Sequence, residues 1–276
     1  MRPRHGAVWA GFTVAALTAT SACGTEVAED GTARIAAVLA RASDRTQQLG
    51  SAEMATTTEF EALGGRPITV KGTYSWDGGA AMDVEMDTTA ARMTRLQDDP
   101  TTRVILVDGA YYYNIDPQPR GPLEGKHWMR IEASAVVGDN AARNMDTQAD
   151  PTVSLRSLRA ATDVEDLGEE TVLGKKTHHY RGTIGEAEIN AGDKLDEADK
   201  RLAVEALETS GGKMVCDLWV DGKDLPVRIR QDGAGATVTT DFLTYGSATP
   251  ISAPPSADTG DLTEQVRQLR EQTPQR

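Results

Sequence analysis

Aromatic side chains are scarce, at 5% of the 276 residues. A core built from this chain must rest on Val, Ile, Leu, Met and Ala. Positive charge is also in deficit: 29 Lys and Arg against 42 Asp and Glu leave a net charge of -13. Such a surface repels phosphates, which argues against nucleic acid as a partner and against adsorption to anionic lipid heads by charge alone. Cysteine occurs twice, as Cys23 and Cys216. If Cys23 carries lipid, no intrachain disulfide can form, and Cys216 reads as a small buried hydrophobe on an apolar strand face. Catalytic motifs are missing as well: there is no G-x-S-x-G, H-E-x-x-H, Walker loop, dinucleotide fingerprint or C-x-x-C pair. Neither an enzyme nor a cofactor or metal protein is expected. His178 and His179 are neighbours on a strand pattern, so their rings point to opposite faces and do not easily share one metal. Asp221-Gly-Lys-Asp224 lacks the oxygen spacing of a calcium loop and reads as a hairpin turn. Tyr111 to Tyr113 either stack on a sugar or simply form a strand at a sheet edge.

The first residues read as an address. Met1 to Gly6 is basic, Ala7 to Leu17 is a short apolar run, and Thr20-Ser-Ala-Cys23 follows. This is a secretory signal, too short to span a bilayer as a stable helix. Its end resembles a bacterial lipobox, with Thr20 where an aliphatic residue is usual. Cys23 is the expected lipidation site; the alternative is a plain secretory signal with an incidental cysteine. Acyl chains contribute roughly 0.8 kcal/mol per buried CH₂, so two or three hold a protein to a membrane. The expected place is the outer face of the cytoplasmic membrane. Removing 1–22 takes away Arg2 and Arg4 and no acid, so the mature charge is -15. The plan is then a signal at 1–22, a flexible tether at 23–31, one domain at 32–256 and a polar tail at 257–276.

The clearest architecture is near the C-terminus. Met214 to Val220, Leu225 to Gln231 and Ala236 to Tyr245 read as three strands joined by Asp-Gly turns. Cys216, Leu218 and Val220 share a face; so do Leu225, Val227 and Ile229; so do Val238 and Phe242. A period of two is what a sheet with one buried face requires. Upstream, Asp30 or Thr32 caps a helix with Ile35, Val38 and Leu39 on its apolar stripe, ended by Gly50. Strands follow: Ser51 to Leu63 with Met54 and Phe60 on one side, Ile68 to Trp76 with Val70, and Met82, Val84 and Met86 alternating with Asp83, Glu85 and Asp87. Arg92–Leu96, Arg103–Val107, Ala110–Ile115, His127–Ile131 and Gly174–Ile184 are further expected strands, and Val164–Leu167 and Glu170–Val172 two short edges. Helices are expected from Asp150 to Ala161 and within Glu186–Leu207, and a last short one is allowed from Asp261 to Leu269. About ten hairpin-joined strands with helices on one side make an α+β fold, a single large curved antiparallel sheet covered on one face.

Taken in order, the lipobox, the opening helix, the strand meander, Asp217-Leu-Trp-Val-Asp221, Leu225-Pro-Val-Arg228, Tyr245-Gly246 and Ile251-Ser-Ala-Pro-Pro255 resemble the LppX/LprG lipoproteins of actinobacteria. More broadly they are similar to the LolA/LolB half-barrel carriers, over most of 32–256. The resemblance implies a half-barrel whose concave face, covered by helices, encloses a hydrophobic cavity for lipids or acylated ligands. The lining expected from it and from the strand patterns is Ile35, Val38, Leu39, Met54, Phe60, Val70, Met82, Val84, Met86, Leu218, Val227, Ile229, Val238 and Phe242. Methionines suit irregular guests, although Met54, Met82 and Met86 also make ordinary core. The functions this leaves are a lipid carrier or sensor anchored at the membrane, and a closed interaction module on the same scaffold with a membrane-protein partner.

Overall fold

The computed structural model describes residues 25–60, 67–139, 163–186, 212–233, 235–246 and 250–272, with single positions between 142 and 161 and between 189 and 207. The signal segment, Cys23 and residues 61–66, where the end of the strand expected to Leu63 and most of the turn after it fall, lie outside the described residues. A 25-residue helix, α1 (Thr25–Leu49), opens the described chain and stops before Gly50. It starts ahead of the caps expected at Asp30 and Thr32, so 25–31 is helix rather than flexible tether. Gly31 does not prevent this, since one interior glycine costs a helix only about 1 kcal/mol.

The strands that follow are β1 (Ser51–Phe60), β2 (Ile68–Ser75), β3 (Ala81–Asp87), β4 (Thr101–Val107), β5 (Ala110–Asn114) and β6 (Trp128–Glu132). After a short helix α2 (Ala133–Val137) come β7 (Glu165–Val172), β8 (Lys175–Gly185), β9 (Lys213–Asp221), β10 (Pro226–Gly233) and β11 (Ala236–Tyr245). Strand β12 (Thr259–Asp261) and helix α3 (Thr263–Gln272) close the chain. All twelve strands form one sheet in the order β12-β6-β5-β4-β3-β2-β1-β11-β10-β9-β8-β7. The two meanders meet where β1 pairs antiparallel with β11. Asp108 and Gly109 both have positive φ, 51° and 70°, the twist-matched turn that Asp-Gly favours between β4 and β5.

Three expectations need correction. Arg92–Leu96 is not a strand: the chain turns repeatedly there, with Met93 N–H bonded to Thr88 O and Leu96 N–H to Met93 O. Its apolar residues serve the core from a loop. The two short edges near 165 and 172 are one bulged strand, β7, at the rim of the sheet. The segment after 256 is part of the domain rather than a tail. Its β12 pairs parallel with β6, making the sheet mixed, and Leu262 and Val266 pack on the core. The helices expected at 150–161 and 186–207 lie largely outside the described residues. Leu155, Leu158, Ile189 and Leu207 are described there, helical and buried.

Candidate functional site: the concave face of the sheet

Cross-strand register fixes which side chains share a face. Phe242, Met54, Gly72, Val84, Val104, Tyr113 and Met129 are successive partners across seven strands. The row beside it runs Tyr245, Ala52, Tyr74, Met82, Leu106, Tyr111, Ile131. On the other flank lie Thr240, Thr56, Val70, Met86 and Thr102. This is the helix-covered, concave face.

Its two ends are filled by the protein itself. At the β8–β11 end, Leu39 and Ala42 of α1, with Leu155, Leu158, Ala161, Ile189 and Leu207, pack on Met54, Phe242, Leu218, Ile229 and Ile184. The Trp76 indole N–H donates to Thr46 O and ties α1 to the end of β2. At the β5–β6 end, Met93, Ile115, Leu123 and Ala135, with Leu262 and Val266, close on Met129, Ile131 and Tyr113. Between the two clusters lies the middle of the face, on β2 to β4. Val84, Val104 and Leu106 are buried there at 2–4% exposure, whereas Val70, Met82 and Met86 beside them are half-buried; among the described residues none of the six belongs to either cluster. Tyr74 flanks this strip on one side and Tyr113 on the other. Burial pushes the Tyr113 phenol up to about 12, and burial also raises Tyr74 and Tyr111. Gly72 has no room for a side chain: a Cβ there would lie 2.2 Å from Asp83 O and 2.7 Å from the Val84 Cα. A strand glycine of this kind lets the backbones approach where a sheet bends.

The expected lining residues distribute as follows. Leu39, Met54, Leu218, Ile229 and Phe242 are buried in the β8–β11 cluster, with Ile35 and Val38 packed against it. Val84 is buried in the central row at 2% exposure. Val70, Met82, Met86 and Val238 are half-buried on the same face. Phe60 sits at its open rim, 41% exposed. Val227 leaves this face. The register of β10 against β9 slips between Pro226 and Arg228, and Val227 packs with Trp219 and Val172 on the convex side. A bulge adds one residue and turns the alternation around. Tyr74, Tyr111 and Tyr113 were not among the expected lining, although Tyr74 and Tyr113 have the parity of Val70 and Val104.

The sequence signature itself serves the convex face. Asp217, its side chain 3% exposed, accepts from His179 Nε2 at 2.7 Å and from Arg181 Nε and Nη2 at 2.7 and 3.1 Å. The Trp219 N–H donates to Glu170 at 2.6 Å, and its ring stacks on His179 at 4.2 Å. Asp221 Oδ1 accepts the amides of Lys223 and Leu225, which makes Asp221–Asp224 the turn it was read as. Arg228 pairs with Asp241 directly across the strands, and Asp83 on the acidic face of β3 pairs with Arg103. His179 is packed and His178 half exposed, on opposite faces. Among the described residues no group of three His, Cys, Asp or Glu side chains is placed to hold a metal ion.

A second concavity lies under α1. A cavity of about 450 Å³ is bounded by Arg34, Ile35, Val38 and Arg41, by Asp166, His178 and Tyr180, and by Val220 with the turn through Asp224.

Geometry of this kind defines a class: an open half-barrel with its helices on the concave side. LprF of Mycobacterium bovis superposes with a TM-score of 0.51 at 15% identity, covering 81% of this chain and 98% of that one. LppX of Mycobacterium tuberculosis superposes at 0.50 with 14% identity, covering 80% and 99%. A candidate lipoprotein of Streptomyces coelicolor is 28% identical over 234 residues, 79% of this chain and 72% of its own. No family model matches. The chain thus has the fold of LprF and of the lipoprotein LppX; the motif order implied the LppX/LprG half-barrel. No helix among the described residues is long and apolar enough to cross a membrane.

Proposed function

We propose that this protein is an extracytoplasmic lipoprotein, anchored through Cys23, that binds an acyl-chain ligand on the concave face for carriage or sensing. The observation that carries the reading is the half-buried apolar strip of Val70, Met82 and Met86, which lies between the two clusters of described residues and beside the buried Val84, Val104 and Leu106. The mechanism is passive. Desolvating a hydrocarbon tail on such a surface contributes about 25 cal/mol per Å² of apolar area. Methionine adapts to a guest of irregular shape, and Phe60 and Val238 extend the strip to the rim. The anchor supports the same reading. Thr25, two residues after Cys23, is already helical, so a lipid on Cys23 would be attached within two residues of α1. Arg34 would stand only about 14 Å along the helix axis from its start.

The test is uptake of a fluorescent fatty-acid probe by the chain beginning at Gly24. Met86→Asp and Val70→Asp place a charge where a tail would lie, on side chains already half exposed, so the fold should tolerate them. Each is expected to weaken uptake about tenfold or more, the cost of burying a charge beside hydrocarbon. Thr57→Asp, on the opposite face, should leave uptake unchanged. Uptake unaffected by both strip variants would favour the closed interaction module instead.

A further inference from the structure

The cavity beneath α1 differs from the concave strip in its chemistry. Its floor is apolar, made by Ile35 and Val38 of α1, Tyr180 of β8 and Val220 of β9, and its rim is charged. At about 450 Å³ it falls within the range of small-ligand sites, roughly 300–1,000 Å³. The acids on the rim are already engaged. Asp224 accepts from Arg41 at 3.1 Å. Asp221 accepts two amides of its own turn. Asp166 accepts the Gly168 amide at 2.9 Å and lies 3.8 Å from His178. Arg34 is different: it is exposed at the rim and has no hydrogen bond or ion pair among the described residues. Among the described rim residues Asp224 is paired with Arg41, while Asp166 and Asp221 keep their charge and accept backbone amides; Arg34 is thus the rim's one unpaired donor beside an apolar floor, a local match for an anionic head that carries a hydrocarbon chain. Arginine suits phosphate and carboxylate because its planar fork donates two parallel hydrogen bonds.

We infer that this cavity binds an anionic amphiphile, with Arg34 taking the phosphate or carboxylate head and Ile35, Val38, Tyr180 and Val220 taking the start of its chain. The inference deepens the carrier reading by naming the headgroup, and it rests on that reading only for the onward path of the tail.

The experiment titrates the chain beginning at Gly24, which keeps every described residue, with dodecyl phosphate, dodecanoate, dodecanol and inorganic phosphate below micellar concentrations. Both anions should bind more tightly than dodecanol, and inorganic phosphate should show no saturable binding. The tighter of the two anions assigns the natural source, a phospholipid head or a free fatty acid. Arg34→Gln should weaken anion binding about tenfold while leaving dodecanol unchanged, and Arg34→Lys should recover part of the loss. Equal binding of dodecanol and the anions, or no change in Arg34→Gln, would overturn the inference. Met86→Asp separates the two proposals. Loss of all chain binding in Met86→Asp with Arg34→Gln unaffected would leave the strip standing and this site refuted. The reverse pattern would refute the strip and keep this site.

Discussion

Single residues carry two stability predictions. Burial alone would raise the Asp217 carboxyl, but hydrogen bonds from Arg181 and His179 outweigh it and hold the group below the ordinary carboxylate range. A depressed folded value means the contribution is complete above the unfolded value, near 3.9, and is lost as pH falls through the lower folded one. Arg181 is about half exposed, so solvent discounts the pair. Asp217→Asn is expected to cost about 1–2 kcal/mol at neutral pH. Urea midpoints at pH 7 and at pH 3 check this: the gap between wild type and variant should shrink at pH 3, and a gap independent of pH would contradict it. Burial also pushes the Cys216 thiol up to about 12. A thiol so protonated and enclosed should ignore thiol reagents in the native protein and react once urea unfolds it. Rapid labelling of the folded chain would place Cys216 elsewhere.

Among elements, the late-arriving β12 and α3 offer the sharpest test. A Cβ on Gly260 would lie 2.4 Å from Pro122 O and 2.8 Å from Leu123 Cδ2. Gly260→Ala should therefore push β12 off β6 and destabilise by about 1–3 kcal/mol, seen as a lower Tm; an unchanged Tm would mean that this strand contributes nothing. What could be read beforehand follows from the same physics. β3 was legible because one face is more buried than the other, so its period of two survives in the residues themselves; β9 was legible as a strand, but Asp217 and Trp219 bury its second face as well. β10 was legible as a strand but misread in its faces, because the bulge at Val227 carries no turn residue to announce it. β12 is three residues long and pairs with a strand about 130 positions away, a partnership local pattern does not encode. The loop through Met93 and Leu96 imitates a strand because apolar residues serving a core from a loop need no period. Of the candidate site, the strip residues Val70, Met82 and Met86 were legible; the tyrosines beside them and Arg34 were not. Only cross-strand register and α1 packing bring them into place.

At the scale of the whole molecule, one sheet joins an N-terminal and a C-terminal meander through β1 and β11, and each half gathers its own helices and loops on the concave side. The two packed ends leave an apolar middle, and a strongly acidic body keeps its exterior away from anionic lipid surfaces. An anchor at Cys23 and charge repulsion together would hold such a body at the membrane without laying it flat. The central claim is that the middle of the concave face takes hydrocarbon from outside. Native mass spectrometry of the chain beginning at Gly24, purified from bacteria without detergent, tests it most directly. The account predicts a mass above that of the polypeptide, released as one or a few discrete lipids and returning when the stripped protein meets lipid again. A bare polypeptide mass that stays bare after exposure to lipid would contradict it.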